Sequence, residues 1–193
     1  MSSIKLTADS GGGTFELKAP ASSSNTRVLT LPDVSNLTLG GILEFDSWYH
    51  TSNKAGSTGV LDANLARNNF AGAASQIGTG MTESSGVFTF PRTGKYLVIF
   101  NGQFALNGST NVVVYTQVTT NNSSYSNHAR ALDGNNGSGE RSGSGSSFAF
   151  IDVTDTSLVK VRFNVGVIGG SDAVSGSTSF QTTTFTFIRV GDT

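Results

Sequence analysis

The chain predicts an all-β fold, and three observations carry that reading. Its composition is poor in helix formers and rich in Gly, Ser, Thr and Asn, with 13 Phe among 193 residues and 13% charged side chains. Phe and Val together outnumber Leu about two to one, which suits strands better than helices. Val159-Lys160-Val161-Arg162-Phe163-Asn164-Val165 alternates strictly between apolar and polar residues, the period-two pattern that sets one strand face in a core and the other in water. Finally, the stretch from Gly86 to Phe100 runs from one strand through Phe90-Pro91-Arg92-Thr93-Gly94 into a second. Gly supplies backbone freedom at the turn borders and Pro91 presets a turn dihedral.

Residues 1–41 form a unit of their own kind. Ile4-Lys5-Leu6-Thr7, Thr14-Phe15-Glu16-Leu17-Lys18 and Arg27-Val28-Leu29-Thr30-Leu31 are three short strands, separated by Ser10-Gly11-Gly12-Gly13 and by Ala19-Pro20 with a Ser-rich run. Turn chemistry of this type breaks strands, and so few apolar residues need something to pack on.

From Ile42 to Thr193 the chain reads as a second domain. Leu43, Phe45 and Tyr49 share a parity in a first strand; Leu61–Arg67 fits a short helical turn, but the flanking Gly and Ser argue for loop. Tyr96, Val98, Phe100, Phe104 and Leu106 line one strand face while Leu97 and Ile99 occupy the other, and Val113 and Tyr115 stand opposite Val112 and Val114 in the same way. A strand apolar on both faces has a partner beyond its own core. Strands are expected over about 112–119, 124–132, 147–153, 158–167 and 182–190, with a long Gly-rich loop from Asp133 to Gly145.

Charge and composition exclude several functions. Net charge is −1 with no Lys/Arg run, so nucleic acid and anionic membranes are poor partners. No apolar run approaches the roughly 20 residues of a membrane span, and the start of the chain lacks the features of a secretory signal. Cysteine is absent, which leaves stability to packing and association. The two histidines, His50 and His128, read as surface or interface polar residues; no metal or cofactor motif and no nucleophile elbow accompanies them. Two carboxylate pairs are candidates for the two acids of a glycosidase. Asp133 and Glu140 fall in the Gly-rich loop, too mobile for preorganised chemistry. Asp152 and Asp155 flank Val153-Thr154 and read as turn residues, a calcium site there being the sharper alternative. The expectation is no enzyme, no cofactor and no metal.

The spacing Gly86-x-Phe88, then Gly94-x-Tyr96-x-Val98-x-Phe100, resembles the signature of the C1q/TNF-like jelly roll. The resemblance covers about residues 42–193 and implies a trimeric β-sandwich used for recognition, with a C-terminal strand, here Thr184–Val190, closing the sandwich. It also implies that Leu97, Ile99, Val113 and Tyr115 meet a neighbouring subunit. Upstream, Ile77-Gly78-Thr79-Gly80-Met81 departs from the family's pattern. Residues 1–41 are in turn similar, through Phe15-Glu16-Leu17-Lys18-Ala19-Pro20 and Leu29-Thr30-Leu31-Pro32-Asp33, to an element of bacteriophage tail-fibre and other structural proteins.

Together these resemblances imply a homotrimeric virion protein, held to other virion proteins through residues 1–41 and binding a host surface glycan or protein. The alternative is a capsid fibre or decoration protein without an essential receptor. Residues expected to touch a receptor are Tyr125, Asn127, His128 and Arg130, together with Asn135, Asn136, Glu140 and Arg141 on the Gly-rich loop. An aromatic ring and cations suit stacking on sugars, and loops on rigid sandwiches often carry recognition.

Overall fold

Alternating sequence becomes two stacked antiparallel sheets. The computed structural model describes residues 3–7, 14–18, 42–107, 111–134 and 139–193, and the chain divides into two units, Met1–Leu39 and Gly40–Thr193. In the first unit β1 (Ser3–Thr7) pairs antiparallel with β2 (Thr14–Lys18), Ser3 opposite Lys18 and Thr7 opposite Thr14. The third expected strand, Arg27–Leu31, lies outside the described residues.

The second unit opens with β3 (Phe45–His50), followed by the short strands β4 (Lys54–Ala55), β5 (Gly59–Val60), β6 (Leu65–Arg67), β7 (Gln76–Ile77), β8 (Thr82–Ser84) and β9 (Val87–Thr89). Longer strands follow: β10 (Gly94–Leu106), β11 (Asn111–Thr119), β12 (Ser126–Gly134), β13 (Arg141–Val153) and β14 (Lys160–Val167), then β15 (Ala173–Val174) and β16 (Thr184–Gly191). One sheet runs β13-β10-β16-β3-β6, with β15 and β4 continuing beside the far end of β10 and β7 beside β3. The other runs β12-β11-β14-β9-β8, with β5 beside β14. Among the described residues there is no helix, and Leu61–Arg67, open by sequence to a helical turn or a loop, ends in strand β6.

The Pro91 turn is not a hairpin. β9 pairs with β14 and β8, whereas β10 pairs with β13 and β16, so the turn carries the chain from one sheet to the other. Phe88, Phe90 and Tyr96 on its two sides all point into the core and are at most 2% exposed. Phe88, Phe100, Phe163, Phe185 and Phe187 form the centre of that core, with ring centroids 4.7–6.3 Å apart. Aromatic rings at such distances in stacked, tilted and edge-on arrangements add to the burial of their area. Gly102 shares their parity, and a Cβ there would lie 2.8 Å from the rings of Phe100 and Phe104.

The expected Gly-rich loop is mostly strand. β12 continues to Gly134 and β13 begins at Arg141. The inward residues of β13 taper from Val153, Ile151 and Ala149 through Ser147 to Gly145 and Gly143. The taper lets the sheets close on each other. A Cβ on Gly145 would sit 2.9 Å from the Leu132 backbone nitrogen, and one on Gly143 would sit 2.0 Å from Asp133 Oδ2. Where the taper reaches Ser147, its hydroxyl meets Thr116 Oγ1 of the opposite sheet at 3.0 Å, buried.

Candidate binding surfaces

Every strand of a sandwich has an outer face, and here the two outer faces differ in chemistry. On the first sheet, register places Leu97 between Phe150 and Ile188, and Ile99 between Phe148 and Thr186. Phe148 and Phe150 are 62% and 67% exposed. Polar pairs border this apolar patch. Lys95 faces Asp152 at 3.9 Å on one side, and Ser146 donates to Asn101 Oδ1 at 2.8 Å on the other. A contiguous exposed apolar patch with a polar rim marks an association surface far more often than a bare face.

The four residues expected at a subunit interface do not share one surface. Leu97 and Ile99 lie in this patch, but Val113 and Tyr115 belong to β11 on the opposite sheet. Val113 is 7% exposed within its own chain, whereas Tyr115 on the same face is only half-buried. The residues that sequence reasoning passed over are Phe148 and Phe150. Their signal was present, since Ser147–Val153 carries apolar residues at both parities.

The outer face of the second sheet is polar and aromatic. Arg162 lies 3.8 Å over the Tyr125 ring and donates from Nε to Gln117 Oε1 at 2.8 Å; Gln117 Nε2 donates to Asn127 Oδ1 at 2.8 Å. Partial burial pushes the Tyr125 phenol up from its ordinary pKa, and the Arg162 charge opposes the shift. Tyr115 stands between Arg130 on β12 and Asn164 on β14.

The remaining predicted receptor residues lie elsewhere. His128 is the extra residue where the β11–β12 register shifts, and it lines a cleft of about 220 Å³ with Phe150 and Asp152. Glu140 and Arg141 sit at the end of the sandwich away from Phe45, bordering a cleft of about 440 Å³ with Asn107 and Ser171. Arg141 pairs with Asp133 at 2.8 Å, and Asp133 also accepts from the Gly134 and Ser144 backbone. Asn135 and Asn136 lie outside the described residues. The candidate carboxylates have structural partners: Asp155 accepts from the Ser157 N–H and hydroxyl, hydrogen bonds that hold its pKa below the usual value. Among the described residues no three His, Asp or Glu side chains gather as a metal centre would need.

A group of buried polar residues escaped the sequence reading altogether. Leu43, Phe45 and Tyr49 do share a parity, but the register with Phe185 and Phe187 turns the other parity inward, carrying Glu44, Asp46, Trp48 and His50. Asp46, 1% exposed, takes a bidentate pair from Arg67 at 2.9 and 3.0 Å and the Met81 N–H at 2.6 Å. Arg67 also lies 4.8 Å over the Trp48 ring. Glu44 accepts from Thr79 and Gly80 N–H at 2.9 and 3.2 Å. Arg92 approaches Glu44 Oε1 at 2.8 Å as an ion pair whose angle does not make a hydrogen bond. Both acids therefore fasten the segment Gly78–Met81, whose Gly80 adopts a φ of 73° beside Asp46.

His50, expected at the surface or an interface, is 1% exposed within its own chain. Burial pushes its pKa down, against the opposing pull of the Ala63 and Ser175 backbone. At the other end of β3, burial and then the Glu44 charge push the Tyr96 phenol up to about 12.

The strand orders β3-β16-β10-β13 and β9-β14-β11-β12, built from these chain positions, make a jelly roll. The solved structures it matches include the Eiger TNF of S. frugiperda, at 12% identity and a TM-score of 0.57, over 77% of this chain and 94% of that one. Murine APRIL at pH 5.0 matches at 10% identity and a TM-score of 0.55, over 76% and 98% of the two chains. The fold is a TNF-like jelly roll. No protein-family model and no curated protein sequence matches the chain.

Proposed function

We propose that the protein is a homotrimeric bacteriophage virion component, a tail fibre or fibre tip that binds the host cell surface. The observation that carries the trimer is the apolar patch of Leu97, Ile99, Phe148, Phe150 and Ile188, whose two phenylalanines remain about two-thirds exposed in a single chain. Closed symmetry buries such a patch without leaving a sticky edge. The attachment role rests on residues 1–41, which are similar to phage fibre elements. The jelly roll suits that placement because the chain enters and leaves it at one end: the Arg189 N–H donates to the Glu44 carbonyl at 2.9 Å. The opposite end, with Asn107, Glu140 and Arg141, is free to face outward, and three copies multiply weak contacts through avidity. This reading assigns binding rather than catalysis.

Immunogold labelling of virions with antibody against residues 42–193, paired with competition of phage adsorption by the purified protein, tests the proposal. Gold at the tail and blocked adsorption are expected. Gold over the head with adsorption untouched would replace it with the capsid-decoration reading.

A further inference from the structure

Resting on the reading of a host-surface binder, the structure assigns a ligand class to the outer face of the second sheet: a carboxylated saccharide, its ring on Tyr115 and its carboxylate on Arg130. The first observation is charge. Register and parity turn Arg130, Lys160 and Arg162 outward on β12 and β14. Among the described residues no carboxylate takes an outward position on β12, β11, β14 or β9. In a chain of net charge −1, that asymmetry is local to this face and complements an anion.

The second observation is that the cations are in different states. Arg162 is engaged by Tyr125 and Gln117. Arg130 is exposed and has no hydrogen-bond or ion-pair partner among the described residues. A free guanidinium fork matches a carboxylate with two parallel hydrogen bonds.

The third is the row of side chains. Arg130, Tyr115 and Asn164 stand directly opposite one another on three adjacent strands. Strands spaced about 4.8 Å apart place the outer two roughly 10 Å from each other, the span of one to two sugar rings. The Tyr115 ring occupies the space a side chain at Gly166 would fill, since a Cβ there would meet its Cε2 at 2.2 Å. That neighbour is small enough to leave the aromatic ring accessible from above. An aromatic ring takes the apolar C–H face of a pyranose, and the Asn164 amide can donate to and accept from its hydroxyls. This face is the opposite side of the sandwich from the apolar patch, so trimer formation through that patch leaves it open.

The test titrates the full chain with tetragalacturonic acid and with trisialic acid, following saturation-transfer NMR. The fully methyl-esterified tetragalacturonide serves as the neutral control. At least one acidic glycan is expected to saturate, with the ester at least about tenfold weaker, as loss of a charge-assisted hydrogen bond implies. Arg130→Gln should abolish the preference for acid over ester. Tyr115→Ala should weaken binding of both forms, and Tyr115→Phe should restore it. Near-UV circular dichroism matching the wild type confirms that each variant is folded.

Failure of both acidic glycans to bind, or an Arg130→Gln variant that still prefers the acid, overturns the assignment. Labelled protein on host cells separates the two levels. Cell binding that is indifferent to Arg130→Gln overturns this inference and keeps the host-binding reading. Absence of cell binding by the wild type overturns the host-binding reading, whatever the glycan titration gives.

Discussion

Phe150→Asp is the sharpest test of the subunit interface. The wild-type ring is 67% exposed in a single chain. A fully enclosed Phe buries about 200 Å², so hiding the exposed two-thirds at ~25 cal/mol per Å² stabilises each subunit contact by roughly 3 kcal/mol. The substitution removes that contribution and adds the cost of desolvating a carboxylate against apolar neighbours. A loss of at least about 4 kcal/mol per contact weakens each association step around a thousandfold. Sedimentation velocity at micromolar concentration should show a trimer for the wild type and a monomer for the variant, both with native near-UV circular dichroism. Phe180→Asp provides the control. Phe180 is 62% exposed but lies in the loop between β15 and β16, which is anchored to Gln103 and His50 toward the other end of the sheet from Leu97, and its substitution should leave the trimer whole. A Phe150→Asp trimer, or equal dissociation by Phe180→Asp, would refute the reasoning, because exposure alone would then be irrelevant or sufficient.

Three further outcomes follow from the interior. Asp46→Ala strips Arg67 and the Met81 N–H of their acceptor and should cost about 2–4 kcal/mol in chemical denaturation, with faster proteolysis near Gly78–Met81; unchanged stability would sink the fastening role. Gly145→Ala forces a methyl against the Leu132 backbone and should cost about 1–3 kcal/mol, whereas Gly170→Ala, with open space around it, should shift Tm little; equal effects would contradict the taper. His50 has a lowered native pKa, so the unfolded chain takes up its proton first as pH falls. Its contribution is therefore complete above the unfolded value of 6.5 and is lost as pH drops from there towards the native one. Denaturation midpoints between pH 7.5 and about 5 should fall less steeply for His50→Gln than for the wild type, and identical slopes would show that His50 is not the group responsible.

Legibility of the candidate sites varied with the kind of signal. The patch residues Leu97 and Ile99 were visible because an apolar residue on the wrong parity of a strand is a local anomaly. Phe148 and Phe150 carried the same anomaly behind a Gly-Ser run that suggested loop. Asn127 and Tyr125 could be nominated by residue type. Their union with Gln117 and Arg162 could not, since those partners come from β11 and β14. Glu44, Asp46 and His50 gave no warning, because a buried acid is tolerable only when its partner is known, and Arg67 comes from the paired strand β6 and Met81 from the segment before β8, neither of which local pattern ties to β3.

The sequence by itself determined the all-β class, the inward residues of β10, β11 and β14, and the sheet-changing turn as a turn. These rest on side-chain parity, which is a property of each strand alone. Only the tertiary structure decided which sheet each strand joins, which parity of β3 is buried, and that glycines 143 and 145 mark a closing seam instead of a loop. Backbone pairing uses N–H and C=O groups that nearly every residue possesses, so the partner is chosen by how the faces pack together.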